Sequence, residues 1–340
     1  MAARFVRLVL ITGVFVCLVL PAIAQPQLTA PEIPLPDPTA PLHERVARNH
    51  ELMMAYHLNE GVIMADAIFF HDPAAPFSWG NYEDAAGHTA VYLAGLAHKY
   101  AVTKDPAVRK EADTLFEGIL KLEKVTGVPG VVARGFYKTD EPRWHEKAYF
   151  FSEEWHDSPT MPGYRWQGDL SSDKFTDFLY GVGTYWEFCA DDAHKAQAAA
   201  FMDRFVGRCV DNNYKMIDAD GKMTLWGNFC PDLPHQPLNA LEMLAALKVT
   251  ERLTGNKRYG DSYRYLIDEH QYDEETMLAK TLWPDEWNVP WDDNLAGKAY
   301  YMLLRWEDDK SLLMKYRMSL NRHLYSWERV DSNWPDILWY

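Results

Sequence analysis

Helical segments recur in pairs along this chain, and the two members of each pair differ in kind. Residues 85–103 (AAGHTAVYLAGLAHKYAVT) are apolar on most faces, whereas 105–127 (DPAVRKEADTLFEGILKLEKVTG) carry a single apolar stripe. The pattern returns at 173–190 with 191–213, at 238–255 with 256–270, and at 292–308 with 309–329. A helix apolar all round must be buried, while one with a single stripe sits outside. Hairpins that alternate a buried with an exposed helix build a two-layered ring. The fold class is therefore all-α, a toroid-like ring of helical hairpins. Its inner helices run parallel, so their N-termini collect at one end beside the segments that join the hairpins. Two of those segments read as short β structure: a strand within 129–140, and a hairpin at 214–227 turning at Asp220-Gly221. The Asp218-x-Asp220-Gly221 run lacks the downstream acidic ligand of a calcium loop. Residues 42–69 are predicted as one long helix with an apolar stripe.

Residues 1–24 read as a signal peptide. Arg4 and Arg7 precede the apolar run LVLITGVFVCLVL, and Ala22-Ile23-Ala24 offers a small-x-small cleavage site before Gln25. Residues 25–42 form a proline-rich linker, and 43–340 a single domain, periplasmic or secreted. The formal charge is −15, and loss of Arg4 and Arg7 takes it to −17. That balance argues against nucleic acid and anionic membranes as partners. Cys189, Cys209 and Cys230 match no zinc spacing, and their odd number favours free thiols in the core. HExxH is absent and EEWHD (153–157) has the wrong spacing, so no metal or cofactor is expected. The 13 Trp and 19 Tyr fill cores, and in an exported chain they also suit stacking on sugar rings.

Four stretches, set in this order of hairpins, resemble the six-hairpin glycosidases. They are GVPGVVARGF (127–136), RWQGDLSSDKFTDFLYGVG (165–183), LNALEMLAALKVTERLTGNKRY (238–259) and WDDNLAGKAYYMLLRWEDD (291–309). The chain is most similar to exported, mostly uncharacterised bacterial members, and more distantly to unsaturated glucuronyl hydrolases. The resemblance implies an (α/α)6 toroid acting on carbohydrate. A full toroid has twelve helices, and nine or ten are read here, so the ring is expected to be incomplete toward the C-terminus or shortened.

Asp169, Asp173 and Asp177 stand four apart around the start of the second inner helix. Ser171 or Ser172 as a cap, with Asp173 favouring the helix dipole, explains part of this. A cap needs neither Asp169 nor Asp177, and Asp173 and Asp177 place like charges on one helical face. The other inner-helix starts are similar: Asp84 and His88 at the first, His235 and Asn239 at the third, Asp292 and Asp293 after Trp291 at the fourth. Trp79, Trp166, Trp226 and Trp291 fall at the same end. Arg134, Arg143, Lys147, Arg165 and Lys174 lie nearby in sequence. Arginine forks hold carboxylates, so Arg134 or Arg165 would suit a uronate, or else pair with the site's own aspartates.

Glycoside hydrolysis uses two carboxyl groups, about 6.5–9.5 Å apart in inverting enzymes. Asp173 is the expected acid or base, opposite Asp292 or Asp84, with Asp169 a neighbour that raises one pKa. A lyase or epimerase is the alternative, with His88, His235 or Tyr164 as base and Arg134 and Asn228 stabilising an enolate. A glycan-binding module without catalysis is the third. In every case the partner is an oligosaccharide or polysaccharide, held by Trp166, Tyr164, Trp226 and Trp291 with the polar groups above.

Overall fold

The computed structural model describes residues 33–65, 67–69, 77–79, 83–141, 155–232, 236–279 and 290–327. The segments expected to be a signal peptide and, for the most part, a linker lie outside these residues. Ten α-helices fall among them: α1 Leu42–Leu52, α2 Ala85–Thr103, α3 Pro106–Lys124, α4 Ser172–Phe188, α5 Asp192–Asp211, α6 Pro237–Thr254, α7 Lys257–His270, α8 Tyr272–Thr276, α9 Pro290–Trp306 and α10 Lys310–Trp327. They give four complete hairpins, α2–α3, α4–α5, α6–α7 and α9–α10, with α8 as a single extra turn. The architecture is the all-α array of helical hairpins, with short β-hairpins between units, that the sequence pattern requires.

The inner and outer layers differ as expected from their composition. α4 buries every residue from Lys174 to Tyr185, while α3 buries one stripe that includes Val108, Leu115, Phe116 and Ile119. α2 packs on α4, α4 on α6, and α6 on α9; α9 also returns onto α4. Two glycines let α4 take this central place. A Cβ on Gly181 would strike the Ala90 carbonyl of α2. One on Gly183 would stand 2.6 Å from Met302 and 3.2 Å from Trp306 of α9, and 3.5 Å from Val249 of α6. One connected apolar core runs through all four hairpins, and each large side chain in it, such as Phe175 or Phe178, contributes about 1.5–3 kcal/mol by burial.

The segment 42–69 departs from the single long helix. α1 stops at Leu52, continues as one π turn at Met53–His57, and gives way to β1 (Leu58–Asn59) and β2 (Val62–Ile63). The cause is a tight turn in which Glu60 and Gly61 take φ of 49° and 90°, with Gly61 seated against the backbone of Gly118 in α3. β3 (Ala67–Phe69) pairs antiparallel with β4 (Phe77–Trp79). β5 (Gly135–Lys138), β6 (Trp155–Asp157) and β7 (Tyr164–Gln167) form a sheet in the order β5-β7-β6, with Phe136 opposite Trp166. β8 (Lys215–Ile217) and β9 (Met223–Asn228) make the hairpin expected at Asp220-Gly221, where Gly221 has φ 81°. Cys189, Cys209 and Cys230 are buried free thiols. Among the described residues no helix is long and apolar enough to cross a membrane.

Candidate active site

The helix starts separate into two kinds. Outer helices are capped by their own side chains: Asp105 accepts from Ala107 N at 2.9 Å, Asp191 from His194 N at 2.9 Å, and Asn256 from Arg258 N at 3.1 Å. The inner helices α2, α4 and α6 start at Asp84, Ser171 and Gln236, and none of these side chains caps its helix. Polar groups there are directed elsewhere. The Ser171 hydroxyl donates to Asp173 Oδ1, and Lys174 N donates to the same oxygen at 2.8 Å. Lys174 Nζ bridges Asp84 Oδ1 and Asp173 Oδ2, the latter at 2.9 Å.

Asp84, Asp173 and Lys174 line one cleft of about 880 Å³, formed by the start of α2, the first turns of α4 and the start of α9. Asp84, His88, Asp173, Lys174, Asp177 and Lys298 face it, with Gly87 and Gly95 leaving room along α2. A second lobe of about 300 Å³ adjoins it across Asp173, Lys174 and Leu295. Its walls are Glu83, Arg134, Asp292 and Trp226, whose side chain on β9 is 62% exposed. The helices α2, α4 and α9 thus present their N-termini, and the partial positive charge found there, to a cluster of carboxylates.

The environments of the carboxyl groups diverge. Burial works to raise Asp173, but the Lys174 ammonium and the hydrogen bonds from Ser171 and Lys174 outweigh it and hold the carboxyl below its usual range. Burial alone would lower Lys174, yet Asp173 and Asp84 keep it charged and above its usual value. One turn on, Asp177 is buried and pushed up by desolvation, although Lys298 Nζ donates to its Oδ1.

Other candidate residues sit elsewhere. Asp169 adopts φ 55°, its carboxylate accepts from Leu225 N at 2.7 Å, and its amide donates to Asp218 Oδ2 at 2.5 Å. It ties the β8–β9 hairpin to the loop before α4 and does not line the cleft. Arg134 is buried, donating to Glu83 Oε1 at 3.0 Å and to the Asp169 carbonyl at 2.6 Å. Arg165 lies on β7, paired with Asp157 at 3.3 Å and donating to the Trp155 carbonyl at 3.0 Å. Tyr164 donates to Glu60 Oε1 at 2.9 Å, and Trp166 is buried against His156. The Asn228 side chain accepts from Cys230 N at 3.1 Å. Arg143, Lys147 and His235, and the side chain of Trp291, lie outside the described residues.

Lys298 and Glu242 are not singled out by spacing. Lys298 reaches Asp177 from the third turn of α9. Glu242 is fully buried in α6, where Thr176 Oγ1 donates to its Oε1 at 2.7 Å, and burial drives its carboxyl well above the usual range. The signal for it is a lone acid inside the apolar run LNALEMLAAL. Among the described residues no group of three or more His, Cys, Asp or Glu is placed to hold a metal ion.

No family profile matches this sequence, and no curated protein does. Among solved structures the chain is similar to a selenomethionine derivative of a GH76 α-mannanase from Bacteroides thetaiotaomicron. The identity is 13%, over 82% of this chain and 67% of that one, with a TM-score of 0.48.

Proposed function

We propose that the cleft binds an oligosaccharide and that the protein is a glycoside hydrolase. The observation that carries this is the meeting of the uncapped starts of α2 and α4 with the start of α9 at one cleft, with carboxylates from all three and an exposed tryptophan at the adjoining lobe. Asp173, held ionised, is the base or nucleophile. Asp292 faces the same lobe from α9 and is the carboxyl that supplies the proton to the leaving oxygen. Asp84 shares one ammonium with Asp173 and serves as its second counter-ion. Trp226 offers its ring face to a sugar. The arginines expected to hold a uronate are engaged within the protein, which leaves a neutral glycan as the better fit. A signal peptide would place this activity in the periplasm or outside the cell.

Product analysis by mass spectrometry tests the reading. The chain without its signal segment, incubated with neutral and acidic oligosaccharides, should release fragments that carry one added water. Unsaturated fragments without added water would instead make it a lyase with His88 at the reacting centre. Binding without cleavage would leave a glycan-binding module.

A further inference from the structure

Beneath the cleft lies a carboxyl group that this chemistry does not use. Glu242 is fully buried in the second turn of α6. Thr176 donates to its Oε1, while its Oε2 is buried without a hydrogen-bond partner among the described residues. Leaving such an atom unpaired is costly, and native proteins keep few of them. Thr176 lies on α4 between Asp173 and Asp177, so Glu242 is joined to the turn that carries two of the cleft's carboxylates. The charged groups acting on it are Asp173, Asp292 from α9 and Asp177; Asp173 is paired with Lys174 and Asp177 with Lys298.

We propose that Glu242 is a positioning residue for the cleft: as a neutral acid it ties α6 to α4 at Thr176 and leaves the Asp173–Lys174 and Asp177–Lys298 pairs intact. Ionised, it would set a new negative charge behind Asp173, Asp177 and Asp292 and compete for the same two ammonium groups. Burial favours the neutral form, so the change falls on the alkaline side of an ordinary glutamic acid. The sign for stability follows. The folded chain keeps a proton that the unfolded chain releases above about pH 4.3, so stability declines as pH rises from there to the folded value. The proposal rests on the hydrolase reading only where it concerns turnover.

Glu242→Gln keeps the size and the acceptor for Thr176 but cannot ionise. In the variant the unfolding midpoint should lose the decline with rising pH that the wild type shows. The alkaline limb of kcat/KM should move up by about one pH unit, roughly tenfold in rate along that limb. Parallel midpoint curves, or an unmoved limb, would overturn the proposal. Should the wild type cleave no glycan, the hydrolase reading falls, and carboxyl-carbon NMR titration of Glu242 itself decides the proposal separately. The Asp177 charge holds the Glu242 proton on, so a downward move of the Glu242 titration in Asp177→Asn supports the coupling, and coincident curves sink it. Thr176→Val gives a second variant: without that donor the Glu242 carboxyl holds its proton more tightly, and the limb should again move upward.

Discussion

Lys174 is the residue on which the cleft turns. Its side chain is 7% exposed, while Asp84 and Asp173 are 38% and 41% exposed, so one buried ammonium serves two half-exposed carboxylates. Removing one partner of a buried pair strands the others, at about 3–5 kcal/mol for full burial. Solvent reaching both carboxylates reduces this to about 1–3 kcal/mol for Lys174→Met, measured by urea unfolding at neutral pH. The folded value of Asp173 is depressed, so its contribution is present above the ordinary aspartate value of about 3.9 and lost as pH falls through the folded one. The difference between wild type and Lys174→Met should therefore close in acid; a constant difference would contradict the ion-pair account. Sequence reading reached Asp84, Asp173 and Asp292 because helix starts can be located from periodicity. It placed Lys174 only within a cluster of basic residues, since nothing in spacing tells that its ammonium turns back onto Asp84. Asp169, read as a neighbour of Asp173 that raises one pKa, instead bonds the hairpin at Leu225 N: its backbone takes φ 55°, and no side-chain spacing encodes that.

At the scale of elements, the approach of α2 to α4 decides where the cleft floor sits. Gly181→Ala would force a methyl group against the Ala90 carbonyl, an overpacking that costs about 1–3 kcal/mol and should lower the denaturant midpoint without changing the slope. Gly95, on the cleft face of the same α2, is the contrast, because a Cβ there meets nothing within 4 Å. Gly95→Ala should raise stability by about 0.5–1 kcal/mol through helix propensity. Gly95→Phe should fold and yet weaken glycan binding by filling the cleft. If both Gly95 variants bind glycan as the wild type does, the cleft is not the binding site. Helix pairing was legible because burial all round and burial on one stripe leave different residue patterns. The end of α1 was not, since the turn at Glu60-Gly61 depends on Gly118, distant in sequence, offering bare backbone to receive it.

Across the whole molecule, the packing of α2, α4 and α9 brings carboxylates far apart in sequence to one cleft. The return of α9 onto α4 places Asp292 and Lys298 beside Asp173 and Asp177, a closure that periodicity alone does not reveal. It also buries Glu242, which a sequence shows only as an acid among apolar neighbours. In the proposed hydrolase, this end of the array is a catalytic cleft whose chemistry passes through Asp173. The most direct test compares kcat/KM of Asp173→Asn with that of Asp169→Asn on the glycan the wild type cleaves. Asp173→Asn should lose about 10²–10⁴-fold, whereas Asp169→Asn, still able to accept from Leu225 N, should stay within a few-fold of the wild type. Retained turnover in Asp173→Asn, or its loss in Asp169→Asn alone, would contradict the assignment and move the chemistry out of this cleft.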